Sequence, residues 1–163
     1  MTFTRLTFDV DGERQVSRAF MAMEADVRDM SEPLGAIGRL IREAIGEEFG
    51  SEGARGGAPW QPLSPQYEAW KEAHYPGHPL LVQTGAMRRE MLGESAFRVT
   101  PERLVYEPST ASATHPEIAG YHQRGSSPNP ARRMVDLTPE DRRGFEREVH
   151  DWLNARRRRH FAA

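Results

Sequence analysis

An α+β fold, with helices packed on a small, mostly antiparallel sheet, follows from three features of this 163-residue chain. Apolar residues recur at helical spacing through the first third. Two short alternating runs sit side by side around Thr100-Pro101-Glu102. A capped, proline-started segment then leads into a long C-terminal helix. An extended glycine-rich loop separates these parts, and the whole reads as one domain over residues 1–163.

Taken in order, Thr4 to Val10 alternates, with Leu6, Phe8 and Val10 on one face, which predicts a short half-buried strand. From Glu13 to Met30, the residues Val16, Phe20, Met23, Val27 and Met30 form one helical stripe. Ser31-Glu32-Pro33 punctuates the run, with Ser31 as the expected cap and Pro33 in the first turn of the next segment. Leu34, Ile37, Ile41, Ala44, Ile45 and Phe49 continue a stripe to Gly50, as a second helix or as one kinked helix. Residues 50–62 carry Gly53, Gly56, Gly57 and Pro59 and read as a flexible loop, with Trp60 inside it. Ser64-Pro65 starts a short helix bearing Tyr67 and Trp70, and Tyr75-Pro76-Gly77-His78-Pro79 ends it. Thr84 is placed to cap a helix through Met87 and Met91.

Ser95–Thr100 and Arg103–Glu107 predict the two strands, and Pro116–Gln123 predicts a further helical segment. In the last helix Thr138 caps, Pro139 takes the first turn, Glu140 and Asp141 follow, and Phe145, Val149, Trp152 and Leu153 make the apolar face. Its basic end spans 156–163, where the helix dipole favours positive charge.

Composition narrows the function classes. The chain has no cysteine, so disulfides, thiolate metal sites and cysteine nucleophiles are excluded together; this fits synthesis in a reducing cytoplasm. No apolar run approaches the ~20 residues that span a bilayer. Arg5 and Asp9 interrupt the first apolar stretch, so it does not read as a signal peptide, and no membrane partner is expected. With 22 basic and 24 acidic residues, net charge points to no polyanionic partner. Lys71 is the single lysine; arginine suits bidentate interface contacts, but a GC-rich coding sequence accounts for the bias more simply.

Candidate reaction centres fail on geometry. His74 and His78 are four apart like a helical metal pair, but Pro76-Gly77 breaks the helix between them, and no metal or other cofactor is expected. His122 beside Tyr121 and Gln123, with His115 upstream, has the look of a general base, yet no nucleophile elbow accompanies it. Gly53 to Gly57 lacks the lysine of a phosphate loop. No catalytic residue and no small-molecule substrate are expected. The run Arg156, Arg157, Arg158 and Arg159 reads as a helix terminus, with contact to DNA or to an acidic neighbour as the functional alternative.

Two stretches resemble a known family. One runs Gly57-Ala58-Pro59-Trp60-Gln61-Pro62-Leu63-Ser64, then Lys71, then Leu80-Leu81-Val82-Gln83-Thr84-Gly85-Ala86-Met87-Arg88. The other runs Glu117-Ile118-Ala119-Gly120-Tyr121-His122-Gln123-Arg124-Gly125, then Pro130-Ala131-Arg132-Arg133, then Leu137-Thr138-Pro139-Glu140-Asp141. Their order and spacing resemble the phage virion morphogenesis family, which includes tail-completion proteins of P2-like phages and a Mu-like morphogenesis protein. Met87 stands where that family has leucine, Ile118-Ala119-Gly120-Tyr121 reorders its Tyr-Ala pair, and Arg133-Met134-Val135-Asp136 replaces its Pro-Phe-Leu-Gly run.

The resemblance implies a non-catalytic virion protein of the head-to-tail connection, made in the host cytoplasm and resident at the neck or the top of the tail. It implies a homo-oligomeric ring around the DNA channel, with other neck and tail proteins as partners and channel DNA within reach. Trp60, Leu63, Thr84, Gly85, His122, Gln123, Gly125 and Arg132 are the matching positions. Trp60 would anchor the loop in an interface or pack within its own subunit; Thr84 and Gly85 would make a helix start; His122 and Gln123 would bond a neighbouring backbone. Arg132 would hold the adjacent proline-rich loop or touch a neighbouring subunit. On this reading, shortening Gly53–Pro59 leaves the fold intact and damages assembly. A tail terminator or tail-tube component is the alternative within the same particle. A small nucleic-acid-binding protein using the arginine run is the alternative outside it.

Overall fold

In the computed structural model, residues 12–108 and 117–161 are described; the strand expected over Thr4–Val10 and His115 lie outside them. The described residues form six helices and one hairpin, in the α+β arrangement that the patterning predicts. Helices α1 (Glu13–Val27) and α2 (Ser31–Gly50) are separate. Helices α3 (Pro65–His74) and α4 (Ala86–Leu92) follow, then strands β1 (Phe97–Thr100) and β2 (Arg103–Tyr106), and finally α5 (Ile118–Arg124) and α6 (Pro139–Phe161). The strands pair antiparallel, Phe97 opposite Tyr106 and Thr100 opposite Arg103.

The corner between α1 and α2 is made differently from the expected Ser31 cap. Ser31 is already helical, its N–H donates to the Asp29 carboxylate (3.0 Å), and Met30 precedes the helix with its N–H given to the Pro101 carbonyl (2.8 Å). A carboxylate two residues back and the hairpin's turn together supply what a cap hydroxyl would have supplied. Thr138 does cap α6: its hydroxyl accepts from the Asp141 N–H (3.2 Å), and the Asp141 carboxylate accepts from the Thr138 N–H (2.7 Å). Ser64 likewise accepts from the Tyr67 N–H at the start of α3 (3.3 Å).

Helix α2 is the spine, touching α4, α6 and both strands. Its Ile45 and Phe49 form the core with Trp60, Met91 and Met134, surrounded by Ile41, Leu80, Leu81, Met87, Tyr106, Ala119 and Val135. Thus the central hydrophobic cluster draws on α2, α4 and the irregular segments at 60 and 134 more than on the sheet. The Tyr106 hydroxyl reaches the Met91 carbonyl (3.2 Å), and burial pushes its phenol up to about 12.

The stripe expected on α1 is not the face that packs. Ala19 is the buried residue of α1, while Val16, Phe20 and Val27 are exposed. The docked flank is ionic: the Asp26 carboxylate pairs with His160 (2.7 Å) and with Arg156 (3.5 Å) of α6. Arg156 also pairs with Glu32 (2.6 Å) and lies over the Trp152 ring (5.1 Å), whose indole N–H donates to Glu32 (3.2 Å). Hydrophobic periodicity cannot register a helix contact made through a carboxylate, a histidine and an arginine.

The glycine-rich segment also departs from expectation. It holds a 3-10 turn at Ala54–Gly56 and returns to the core at Trp60. Gly53 takes φ +88°, and a Cβ there would stand 2.5 Å from Trp60 Cδ1, so close approach demands this glycine. Arg55 from this segment pairs with Glu47 (2.6 Å) and forks onto both carboxylate oxygens of Asp141 at the start of α6. Removing Gly53–Pro59 would take these contacts away, so that shortening is expected to cost stability as well as assembly. The Arg55 side chain is 19% exposed and that of Asp141 11%, so water screens this pair little. The Arg55 fork, aided by Thr138, holds the Asp141 carboxyl down at about 2.

An Arg55→Ala variant is expected to lose about 2 to 3 kcal/mol at neutral pH, read from denaturant midpoints. Asp141 has a lowered folded value, so the stability it contributes is full above its unfolded value of 3.8 and is lost as pH falls toward about 2. The difference between wild type and variant should therefore shrink across that window.

Candidate assembly site

The irregular segment between α5 and α6 is held by side chains from both directions. Gln123, near the end of α5, accepts at its amide oxygen from the N–H groups of Met134 (2.9 Å) and Val135 (3.1 Å). Its amide nitrogen donates back to the Val135 carbonyl (2.9 Å). A primary amide has the donor and acceptor set of a peptide group, so Gln123 stands in for a neighbouring strand. The Arg132 N–H donates to the His122 carbonyl (2.6 Å), and the Trp60 indole N–H donates to the Arg133 carbonyl (2.8 Å).

Arg132 faces the other way. Its side chain is buried and donates to the carbonyls of Gln61 (2.8 Å) and Pro62 (3.0 Å). Burial pulls its guanidinium below the usual arginine value, yet carbonyl dipoles are its only hydrogen-bond acceptors among the described residues. Within its own chain Arg132 thus holds the Gln61–Pro62 loop, not the proline-rich stretch beside it in sequence. Trp60 likewise has its contacts in its own chain. It is buried, meets Phe49 edge-on at 5.6 Å and 86°, and packs within its own subunit. Gly125 takes φ +80°, where a Cβ would come within 2.9 Å of the Ala131 nitrogen.

The remaining matching residues converge elsewhere. Leu63, Thr84, Gly85 and His122 line one cleft of about 320 Å³, together with Tyr67, Lys71 and apolar side chains that include Met87 and Ile118. Thr84, the expected cap, lies one residue before the cap position, which Gly85 takes at φ +75°; the Thr84 hydroxyl accepts from the Ala86 N–H (3.3 Å). His122 lies half-buried here; desolvation, reinforced by the charge of Arg132, pushes its imidazole down and favours the neutral ring.

Lys71 makes the cleft floor possible. It is the buried residue of α3, and its ammonium donates to the carbonyls of His78 (2.9 Å), Leu80 (3.1 Å) and Pro79. Burial lowers its basicity. The Leu80 N–H in turn donates to the Glu52 carboxylate (2.7 Å), and the buried Glu48 carboxylate accepts from the Gly56 N–H (3.1 Å), with desolvation pushing Glu48 up. The roles of Lys71, Glu48, Glu52 and Arg55 were not visible in the sequence, because each bonds to backbone or charge that is remote in the fold and carries no local pattern. A signal for Lys71 did exist: it is the only lysine and lies within the matching stretch.

Among the described residues no group of histidine and carboxylate side chains is placed to hold a metal. His74 and His78 each bond a backbone carbonyl instead, of Trp70 and of Gln83 (both 2.7 Å). Arg156 is drawn inward to Glu32 and Asp26, which removes it from the set expected to reach DNA or an acidic partner; Arg157, Arg158 and Arg159 are exposed.

The result is a small α+β protein whose matching residues either lock irregular backbone in place or line a single cleft. The chain belongs to the phage virion morphogenesis family, whose model matches residues 11–154. That membership gives it a structural part in building a phage particle and makes other virion proteins its partners. No curated protein and no solved structure matches the chain.

His122 has a depressed folded value, so between that value and its unfolded 6.5 the unfolded chain binds the extra proton. Its contribution is intact above 6.5 and is lost as pH falls through and below it. His122→Asn should flatten the pH dependence of the denaturation midpoint on the acid side of 6.5; an unchanged slope would place the proton uptake elsewhere.

Proposed function

We propose that this chain is a structural protein of the head-to-tail connection, a neck or tail-completion protein that forms a ring around the DNA channel and catalyses nothing. The observation that carries this reading is the convergence of Leu63, Thr84, Gly85 and His122, distant in sequence, on one cleft whose walls are fixed by Lys71 and Arg132. A fixed, largely apolar cleft with a few polar groups suits reception of a neighbour's side chains.

Helix α3 supports the same reading. Apart from Lys71 its residues are exposed, and Tyr67 and Trp70 stack on each other at 5.4 Å and 21°, with Trp70 stacked on His74 at 4.6 Å. Aromatic side chains left in water beside a cleft are typical anchors of a protein contact. Identical contacts repeated head-to-tail close into a ring when the rotation closes. Arg157, Arg158 and Arg159 are the residues offered to channel DNA.

Deleting the gene should leave filled heads and free tails in the lysate by electron microscopy, with no infectious particles. Complementation with the Tyr67→Ala, Trp70→Ala double variant should fail although the variant folds, because both side chains lie outside the core. Infectious particles after deletion would refute the neck reading. Full rescue by the double variant would show that α3 is not the contact.

A further inference from the structure

Helix α1 presents an apolar face that nothing in the described chain covers. Val16 is 48% exposed, Phe20 61%, Met21 67% and Val27 42%. Helix α6 lies on the neighbouring flank, through Ala19 and Asp26, and ends at Phe161, which meets Phe20 edge-on at 5.2 Å. Among the described residues nothing covers the face beyond that contact.

We infer that α1 pairs antiparallel with α1 of a second copy, making a two-fold dimer of the free chain. The stripe is self-complementary. With the axis centred between Met21 and Ala22, Val16 stands against the partner's Val27 and Phe20 against the partner's Met23. The charges agree with that register. Glu13 lies two residues from the level of the partner's Arg28, about 3 Å along the helix. At about 100° per residue, Glu13 and Arg28 both fall on the flank away from α6, and a two-fold axis keeps that flank on one side of the pair. Arg28 is already steadied by Glu24 at 2.7 Å and can serve both carboxylates. Residues 13–18 carry Glu13, Arg14 and Arg18, and residues 24–29 carry Glu24, Asp26, Arg28 and Asp29, so the net charges of the two ends are opposite and each end meets its opposite in the second copy.

This dimer is independent of the neck reading: a two-fold contact closes on itself and does not build a ring. One helix pair of this length lies at the small end of specific interfaces, about 1,200 Å² in total, so the dimer should dissociate on dilution.

The test is sedimentation of the full chain across a dilution series. Wild type should move from twice the 18.5 kDa chain mass to a single chain mass as it is diluted. Phe20→Glu should remain monomeric while keeping the helical circular dichroism of wild type. The single swaps Glu13→Arg and Arg28→Glu, both at exposed positions, should each weaken the dimer about fivefold, and the double swap should restore it. Wild type that is monomeric throughout overturns the inference. So does a dimer indifferent to Phe20→Glu, or a double swap no better than the singles. None of these three results touches the gene-deletion phenotype or, with it, the neck reading.

Discussion

A buried guanidinium with no carboxylate beside it among the described residues sets the terms for the middle of this protein. Arg132 keeps its charge, and a charge removed from water must be solvated by the protein itself. Here the carbonyls of Gln61 and Pro62 do that, which requires the loop after Trp60 to lie in one place. Trp60 in turn bonds the Arg133 carbonyl next door, and Gln123 holds the two residues beyond it. Each contact positions a partner of the next, so the set is satisfied together or lost together.

The same logic explains why so many buried polar side chains serve so small a sheet. Long stretches between helices have neither a ladder nor a helix to occupy their peptide groups, and a buried peptide group without a partner is costly. Lys71 satisfies three carbonyls between His78 and Leu80, Glu52 the N–H of Leu80, and Glu48 the N–H of Gly56. Side chains do for irregular backbone what strand neighbours would otherwise do. In consequence the cleft is walled by segments that are irregular in secondary structure yet fixed by named contacts. A surface that receives a neighbour with little rearrangement loses less entropy on binding than one that must first order itself.

Local chemistry was legible in the sequence and remote chemistry was not. Thr138-Pro139 and Ser64-Pro65 announced their helices because a cap and its helix are neighbours in the chain. The hairpin was legible from alternation on either side of Pro101. The stripe of α1 was legible as a stripe, but its partner was not: helix α6 docks through Asp26, His160 and Arg156, touches Phe20 through its last residue, Phe161, and leaves Val16 exposed. The glycines at 53 and 56 read as slack, whereas close approach to Trp60 at the first and to Glu48 and Asp136 at the second explains them. Among the matching residues, the sequence marked the positions without separating Trp60, Gln123, Gly125 and Arg132, which lock the backbone, from Leu63, Thr84, Gly85 and His122, which line the cleft. That division depends on how the chain folds back on itself, as in the bonds of Trp60 and Arg132 to residues 70 to 73 positions away.

The claim on which this account rests is that the segment around 132–135 is part of the rigid core although it has no regular secondary structure. Amide hydrogen exchange measures this directly. The N–H groups of Arg132, Met134 and Val135, each bonded to α5, should be protected to the same level as those of Ile45 and Phe49 in α2. Exchange of these three amides at the rate of solvent-exposed loop residues, with α2 still protected, would contradict the account.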